Sequence, residues 1–509
     1  MPSDATGYWS LANYVGQGFN VYGSYDMTST TGLLFDFPDN DGHDFDFQGK
    51  TFLIPKTVLG AESVNTYYQH VSGSTRESYQ DNLATSANVQ VGIGAFSGDL
   101  KASFSREFQT ASEFAFDRYT SYSKLGTLEL RVDPSNITGS LAKAIDQLPA
   151  TGEPGNLQAF ADFFQRFGVY FIWRVVFGGS LQLYTAVDKS SGLSTQDISV
   201  EAEASYGALF KAGMKVATST RRETFNKNAS TSVSAIGGDL KLAAQLGLVD
   251  PNAPSADSVK LFADWVGSVV ASPAPVDFSL KGIWELCGDK RQAVETAWAL
   301  YSQLMHPKLT IQTYGLPAPT QLPIITLGRQ LKPAPAASPG RYGGWQIVIL
   351  DRSNVLGDDG VKFNRHYALP GATDSERHVG IAQMYDTMYR DITGSGCATS
   401  GYLMVAVSYG LEQNWGPLGD FFGLLHSCGG SARNLDWVKA SEVGSGNSSF
   451  TNYLLVGAFD SGTGMGVDFA SGSDFARAGE PKVHNPVMQV MFYRDGKNAP
   501  YTFALASVG

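Results

Sequence analysis

The chain has 509 residues, of which 43% are apolar and 17% charged, and its formal net charge at pH 7 is −11. A chain of this length exceeds one ordinary hydrophobic core, so we expect two or three domains. The negative charge argues against nucleic acid as a partner, because phosphate binding needs a basic surface, and against simple electrostatic docking on anionic lipid.

The N-terminal stretch MPSDATGYWSLANY has neither a basic region nor an apolar core, so no Sec-type signal peptide is expected. No apolar run reaches the ~20 residues of a transmembrane helix. By hydropathy we therefore expect a water-soluble protein.

The stretch DNDGHDFDF, residues 39–47, carries acids at alternate positions, as calcium loops do. His43 and Phe45 stand where the EF-hand order requires other residues. We interpret the stretch as a solvated acidic loop, and a weak Ca²⁺ site is the alternative. That site would use Asp39, Asp41 and Asp44. No other metal or cofactor is expected.

Residues 87–109 alternate as a membrane-crossing β-strand must, with apolar side chains on one face and polar ones on the other. The apolar face holds Val89, Val91, Ile93, Leu100, Ala102 and Phe104. Lys101 lies on the polar face, a turn is expected at residues 97–99, and Arg106 breaks the alternation. An ordinary half-buried hairpin of a soluble protein is the alternative interpretation.

Residues 198–216 alternate in the same way. The apolar face holds Ile198, Val200, Ala202, Ala204, Ala212, Met214 and Val216. The four charged residues between 201 and 215 all fall on the opposite face, and they are Glu201, Glu203, Lys211 and Lys215. A water-filled lumen requires this separation, because a Lys or Arg facing lipid at the midplane costs about 2–4 kcal/mol.

A continuous apolar run, FGVYFIWRVVFGG at residues 167–179, predicts a central strand with a bend at its glycine pair. Helical periodicity follows at residues 255–270, with Ser255 or Asp257 as N-cap, and again from Lys290. Residues 315–340 hold six of the 22 prolines and predict an extended linker. A domain of about 314 residues precedes it, and residues 341–509 follow.

The C-terminal part repeats itself. The apolar cores WQIVIL, YLMVAV and YLLVGAF begin at Trp345, Tyr402 and Tyr453. A second core follows each after 34 or 35 residues, namely VGIAQMY from Val379, WVKASEV from Trp437 and VMQVMFY from Val487. Three copies of a two-strand unit predict an all-β module with pseudo-threefold symmetry. The three cysteines are expected to be free thiols, with a Cys397–Cys428 bridge as the alternative.

The run at 167–179 resembles the signature of the membrane attack complex/perforin (MACPF) superfamily, which reads Tyr/Trp-Gly-Thr/Ser-His-Phe/Tyr, six residues, Gly-Gly. Gly168, Phe171, Gly178 and Gly179 match, whereas residues 167, 169 and 170 depart from it. Three further stretches are similar to family segments: residues 15–26, the Gly237-Gly238 pair and residues 265–286. The resemblance covers about residues 10–310.

This resemblance implies an α+β domain with a bent four-stranded antiparallel sheet, flanked by two clusters of short helices. It further implies a protein that is monomeric in solution and is secreted or released without a recognisable signal peptide. Copies would assemble into a ring on a target membrane, and each cluster would rearrange into a transmembrane β-hairpin. The glycine pairs would let the sheet bend and straighten; a bulge in a buried strand is the plainer explanation. Bacterial members with a three-repeat β-prism module look similar, and some of those are toxins to invertebrates, including insects.

The leading functional hypothesis is therefore a pore-forming, toxin-like protein whose C-terminal module binds an unknown lipid, glycan or protein receptor on a target-cell membrane. A non-lytic adhesion or lectin-like protein is the alternative. No GxSxG, HExxH, phosphate-binding loop or nucleotide-binding fingerprint occurs in a fitting context, so no enzyme activity is expected.

Overall fold

The computed structural model describes residues 8–38, 41–90, 94–104, 114–188, 191–210, 219–252, 255–314, 322–328, 343–356, 359–369, 374–412, 416–440, 450–459, 466–472, 485–494 and 500–508. The chain folds into two compact units, and the boundary between them lies between Ser302 and Gln303. Residues 303–314 therefore group with the C-terminal unit, whereas the sequence suggested that the first domain continues to residue 314.

The strands described in the first unit are β1 (Gln17–Phe19), β2 (Thr30–Leu33), β3 (Gly42–Phe47), β4 (Lys50–Pro55), β5 (Val58–Gly73), β6 (Phe114–Leu130), β7 (Tyr170–Asp188), β8 (Ala229–Ile236) and β9 (Ala274–Gly282). The helices are α1 (Arg76–Ser86), α2 (Ser97–Ser103), α3 (Gly139–Gln147), α4 (Leu157–Phe167), α5 (Thr195–Phe210), α6 (Thr220–Asn228), α7 (Leu240–Leu246), α8 (Ala256–Ser268) and α9 (Arg291–Met305).

Four strands form an antiparallel sheet in the order β5-β6-β7-β8. The central strand β7 is long enough to have two partners on one side: β9 pairs with its first half and β8 with its second half. The short strand β1 also pairs with the beginning of β7. The predicted four-stranded antiparallel sheet and the predicted central strand are both confirmed.

The sheet bends at one level. The pairing of β5 with β6 shifts between Glu62 and Asn65, and that of β6 with β7 shifts between Lys124 and Gly126. Both shifts involve Lys124 and Gly126 of β6, and Lys124 pairs with Gly178, where β7 changes partner from β9 to β8. Because each bulge bends its strand and increases the local twist, aligned bulges bend the sheet as a whole.

Two further sequence predictions concern local structure. The N-cap of α8 is Ser255, in a capping box with Ser258, as one of the two alternatives predicted. The acidic stretch at 39–47 differs from the expected loop, since residues 42–47 form β3, paired with β4. Phe45 and Phe47 are buried and alternate with exposed acids, which is the period of a strand.

The strands described in the C-terminal unit are β10 (Lys308–Gln312), β11 (Ile324–Leu327), β12 (Gly344–Asp351), β13 (Val361–Ala368), β14 (Tyr402–Tyr409), β15 (Leu411–Glu412), β16 (Phe450–Ala458), β17 (Gly466–Gly472), β18 (Val487–Tyr493) and β19 (Thr502–Val508). The helices are α10 (Asp374–Gly394), α11 (Gly419–Ser427) and α12 (Ala432–Ala440). Strand β11 lies inside the predicted linker and pairs with β10.

The three predicted apolar cores are β12, β14 and β16, which are neighbours in one antiparallel sheet. Alternate residues of these strands enter two different cores. One core includes Ile381 and Leu425 from the helices, and the other includes Val490 of the second sheet, formed by β11, β10, β18 and β19. Both faces are buried, which explains why the three runs are continuously apolar.

Two of the three second cores, which were predicted to be strands, begin in helices of the C-terminal unit. Val379 lies in α10 and Trp437 lies in α12, so the unit contains helices as well as strands; only the third core, β18, is a strand. In α10 the buried residues Ile381, Met384, Met388 and Ile392 recur with helical spacing, which a seven-residue window does not reveal. Phe421 and Leu425 of α11 are core residues.

Candidate functional site

The two stretches that alternate like strands lie in helical insertions between strands of the sheet. We call residues 74–113 the first segment and residues 189–228 the second segment. The first segment joins β5 to β6 and the second joins β7 to β8, and each is forty residues long. The described parts of the segments form α1, α2, α5 and α6.

The predicted glycine pair lies where β7 changes partner. Gly178 has φ of +153°, and a Cβ there would lie 2.1 Å from the carbonyl oxygen of Ser123 on β6. A Cβ on Gly179 would lie 2.5 Å from Val269, next to the end of α8. Neither residue can carry a side chain without moving its neighbours, so β6 and α8 both pack directly against the bend.

The second glycine pair continues this contact. Gly237 and Gly238 have φ of +79° and +72°, a backbone conformation that favours glycine. The indole of Trp265 donates to the Gly237 carbonyl oxygen at 2.8 Å, and the backbone N–H of Asp239 donates to the Ser268 hydroxyl at 2.8 Å. Helix α8 is thereby fixed to the end of β8 at the level of the bend.

Replacement of Gly178 by alanine is expected to lower the free energy of unfolding by about 1–3 kcal/mol, because the new methyl group overlaps a backbone oxygen that cannot rotate away. Urea titration would measure the loss. Gly155→Ala is the matched control, since no heavy atom lies within 4 Å of a Cβ at that position. Equal stability of both variants would contradict this explanation of the bend.

The first segment is held to the sheet by a buried ion pair. Asp99 of α2 is 3% exposed and its Oδ1 lies 3.6 Å from Nη1 of Arg118 on β6. The hydroxyl of Tyr79 on α1 donates to the other carboxylate oxygen at 3.1 Å. Arg118 also lies over the rings of Tyr25 and Tyr184. Burial raises the pKa of Asp99, and Arg118 opposes that shift.

The second segment contacts the sheet through Ser199 of α5. Its hydroxyl donates to Oδ2 of Asp117 on β6 at 3.1 Å, and the same oxygen lies 2.8 Å from Nε2 of His70 on β5. Burial raises the pKa of Asp117, against the hydrogen bonds from His70 and Ser199. One buried carboxylate thus joins two strands of the sheet to α5.

Within the second segment, Glu201 joins α5 to α6. The Nε of Arg221 donates to Glu201 Oε1 at 2.6 Å, and Nη1 of Arg222 lies 3.5 Å from Oε2. Arg222 also donates to the Ser205 hydroxyl, which in turn donates to Oδ1 of Asn252 at 3.0 Å. Asn252 lies outside the segment and donates to the Thr231 hydroxyl on β8.

The residues predicted to form the two hairpins differ in their exposure in the helical segments. Val89, Phe104, Ile198 and Ala202 are buried, Ala204 is intermediate, and Val200 and Glu203 are exposed. Glu201 was expected to face a lumen and is buried in its ion pairs. Leu100, Lys101 and Ala102 lie in α2. Outside the described residues lie Val91, Ile93, Arg106, Lys211, Ala212, Met214, Lys215 and Val216.

The signature residues are all described. Gly168 ends α4 with φ of +82°, and Phe171 is a fully buried residue of β7. Five residues of the site are not identifiable from the sequence: Asp99, Arg118, Asp117, Ser199 and Asn252. Asp117 and Arg118 have one sequence signal, which is that they are polar residues in the otherwise apolar strand FAFDRYTSY; Asp99, Ser199 and Asn252 lie outside strands and lack it. Such residues are either exposed or paired when buried, and periodicity alone does not separate the two cases.

Among the residues that the structure describes, no helix is both long and apolar enough to cross a bilayer. Nor do the described residues include a group of three or more His, Cys, Asp or Glu side chains that could hold a metal ion. Of the candidate calcium ligands, Asp39 lies outside the described residues, Asp41 lies 3.6 Å from Lys56, and Asp44 is on β3. Cys287, Cys397 and Cys428 are free thiols.

Residues 8–309, more than half of the chain, match the family model of the MAC/Perforin domain. Perforin-1 of Rattus norvegicus is 23% identical over 251 residues, which are 46% of this chain and 44% of perforin-1. The match thus spans less than half the length of that relative.

Two solved structures are similar. GNIP1Aa from Chromobacterium piscinae is 18% identical with a TM-score of 0.49, and the match covers 69% of this chain and 74% of that chain. The putative cell invasion protein with a MAC/Perforin domain from Bacteriodes thetaiotaomicron is 14% identical with a TM-score of 0.39, covering 62% and 66%.

Proposed function

The chain belongs to the MAC/Perforin domain family, and we propose from this membership that it is a pore-forming protein with a toxin-like role. A soluble monomer binds a target-cell membrane, copies assemble into a ring, and each copy inserts its first and second segments as two β-hairpins. The C-terminal unit recognises a lipid, glycan or protein receptor on that membrane. The observation that best supports this proposal is the pairing register of the sheet from which both segments extend.

The register of β5 with β6 pairs Gly73 with Phe116. If the same register continues through the first segment, Val89 lies opposite Leu100 and Ala87 lies opposite Ala102. Directly opposite residues of an antiparallel pair point to the same face. The register therefore gives both arms of the first hairpin one shared apolar face.

The register of β7 with β8 pairs Val187 with Ala229. Continued through the second segment, it sets apolar residues of the two arms directly opposite each other. The resulting pairs are Val200 with Val216, Ala202 with Met214, and Ala204 with Ala212. Glu201 then lies opposite Lys215 on the polar face, where opposite charges across a strand pair are favourable.

The register of β6 with β7 relates the two hairpins to each other, because it pairs Phe114 with Asp188. Continued, it sets Ala102 opposite Val200 and Leu100 opposite Ala202. Lys101 lies opposite Glu201, so Lys101, Glu201 and Lys215 form a row of alternating charge across three strands. In the neighbouring row, Asp99 lies opposite Glu203, and this pair carries like charges. Three separate registers thus favour one apolar face and one polar face.

The same registers bring both hairpin tips to one depth. The first hairpin would turn at Gly94 and Ala95, not at residues 97–99 as the sequence suggested, and the second at Ala208. Gly94 already has φ of +67°, which suits a hairpin turn. Each arm has about twenty residues, whereas a tilted strand needs only about 9–11 to cross the bilayer core.

Insertion requires several copies. Four strands in lipid would leave two edges with unpaired backbone groups, each of which costs several kcal/mol, so a single copy does not insert stably. Strand β5 supplies a surface for assembly: it pairs with β6 alone among the described strands, and Val64 and Tyr68 on it are exposed. A long edge strand with exposed apolar residues favours pairing with another chain. A ring removes these edges.

A charge on one face of the second hairpin tests this proposal. Val200 and Glu203 are both exposed on α5, so the soluble protein tolerates lysine at either position. In the inserted state residue 200 faces lipid and residue 203 faces the lumen. Val200→Lys is expected to reduce dye release from liposomes by more than tenfold, because each lipid-facing lysine costs about 2–4 kcal/mol and every copy carries one.

Glu203→Lys is the matched control and should retain dye release within a few-fold. Liposomes made from target-tissue lipid, imaged for rings, provide the assay. Equal release by both variants would contradict the assignment of faces. Absence of both release and rings for the wild-type protein would favour a non-lytic adhesion protein instead.

A further inference from the structure

A cavity of about 570 Å³ lies in the first unit, and its lining includes none of the ion-paired residues or glycine pairs described above. Its walls come from the beginning of β7, the end of β9, the turn that follows β9, and α9. Asn88 and Gln90 of the first segment complete it. The cavity is within the size range of ligand-binding clefts, which is about 300–1,000 Å³.

Four aromatic rings line this cavity: Tyr170, Trp173, Trp284 and Trp298. Tyr170 contacts both Trp284 and Trp298 edge to face, with ring centroids 5.4 and 5.9 Å apart. A Cβ on Gly282 would lie 2.1 Å from the Trp284 ring, so a glycine is needed for this ring position. Trp173 and Trp284 are half-buried and present indole surface to the cavity.

The polar lining can both donate and accept hydrogen bonds. Glu285 and Glu295 accept, Lys281 donates, and the amides of Asn88 and Gln90 do both. Burial raises the pKa of Tyr170 to about 12, so its hydroxyl remains protonated at neutral pH. A cavity with aromatic walls and this lining suits a ligand that has an apolar face and several hydroxyl groups.

We propose that this cavity binds a neutral saccharide of one or two rings, whose C–H face packs on an indole while its hydroxyl groups bond the polar lining. The charges of the lining disfavour anionic and cationic ligands. The lining has two carboxylates and one ammonium, and that ammonium lies 3.7 Å from Glu285, so an anion meets net negative charge. Lys281 also lies over the Trp173 ring at 5.2 Å, where a quaternary ammonium ligand would be repelled. An apolar ligand would leave the polar lining unpaired.

Because of where the cavity lies, a bound saccharide should also affect insertion of the first segment. This second half of the inference rests on the proposed function. Asn88 and Gln90 belong to the first segment, whereas the other lining residues belong to β7, β9 and the chain that follows β9. A saccharide that contacts both groups stabilises the stored form of the first segment. Since such a ligand favours the state that binds it, it should slow insertion.

Binding is measured by saturation-transfer NMR on the full chain, with neutral hexoses, N-acetylhexosamines and their disaccharides at millimolar concentration. At least one should bind the wild-type protein. Trp284→Ala should weaken it by at least tenfold, and Glu295→Gln by several-fold, because the neutral amide oxygen of glutamine accepts a weaker hydrogen bond than a carboxylate does. Glu223 is also an exposed helical glutamate and lies outside the cavity, so Glu223→Gln is the matched control and should not change binding.

Absence of any Trp284-dependent signal across this panel overturns the proposal, as does binding of choline in place of the sugars. Glu295 is exposed, so its variant tests the site even if Trp284→Ala does not fold. In the liposome assay, the saccharide at ten times its Kd should slow dye release about tenfold. If the wild-type protein releases no dye without sugar, the proposed function fails while the binding result stands by itself.

Discussion

A Ser205→Cys/Asn252→Cys variant is expected to lose measurable dye release when oxidised and to regain it when reduced. The Ser205 hydroxyl lies 3.0 Å from Asn252 Oδ1, so the two side chains are in contact, and small shifts of the backbone would let cysteines at these positions form a disulfide. Ser205 belongs to the second segment and Asn252 does not. The bridge therefore ties α5 to a part of the chain that does not insert, and α5 cannot extend into a strand.

Each single cysteine variant, treated with the same oxidant, is the control for this experiment. The native thiols Cys287 and Cys428 are buried, which limits wrong pairing, whereas Cys397 is half-buried and is replaced by serine in every variant of this experiment. Burial raises the pKa of the Cys287 thiol to about 12, and a protonated thiol reacts slowly. Full release from the oxidised, bridged protein would show that the second segment need not leave its stored position.

Replacement of Arg118 by methionine is expected to lower the free energy of unfolding by about 3–5 kcal/mol. The substitution leaves the carboxylate of Asp99 buried without its cationic partner, and an uncompensated buried charge is costly. Because Arg118 is on β6 and Asp99 is on α2, the loss also weakens the attachment of the first segment to the sheet. Urea or thermal unfolding measures the change.

The double variant Asp99→Asn/Arg118→Met completes this test. It removes both charges, so most of the lost stability should return, and the coupling free energy of the cycle should be large. The salt bridge Lys260–Asp264 on the surface of α8 is the matched control, since exposed pairs contribute about 0–1 kcal/mol. A loss below about 1 kcal/mol for Arg118→Met would mean that this pair does not hold the segment.

The parts of the fold that follow from periodicity and glycine spacing could be predicted from the sequence. The central strand β7 and the N-cap of α8 follow from an apolar run, a glycine pair and a capping residue. The segments were also recognisable, because Ala, Ser and Gly let one sequence alternate like a strand and still fold as α5. Intrinsic propensity does not decide between these two states; packing does.

The attachments that store the segments could not be predicted. The Asp99–Arg118 pair joins residues of a helix and a strand, and its energy comes from burial that only the folded structure reveals. Glu201 illustrates the same difficulty, because its position on the polar face of a strand says nothing about its ion pairs with Arg221 and Arg222 in the helical state. In α10, a seven-residue window suggested a strand where longer-range periodicity specifies a helix.

The most direct test of the proposed pore is the pairing of Ala102 with Val200 between the two hairpins of one copy. Cysteines at these positions should form a disulfide in membrane-bound protein, because opposite residues of adjacent strands lie about 4.5–5.5 Å apart at their Cα atoms. The variant Ala102→Cys/Ala204→Cys shifts the second cysteine along the strand by four residues, or about 13 Å, and should not form one. Bridging at 102 and 200 but not at 102 and 204 is the predicted result. Equal bridging of both pairs, or of neither, would contradict the extension of the sheet register into the membrane.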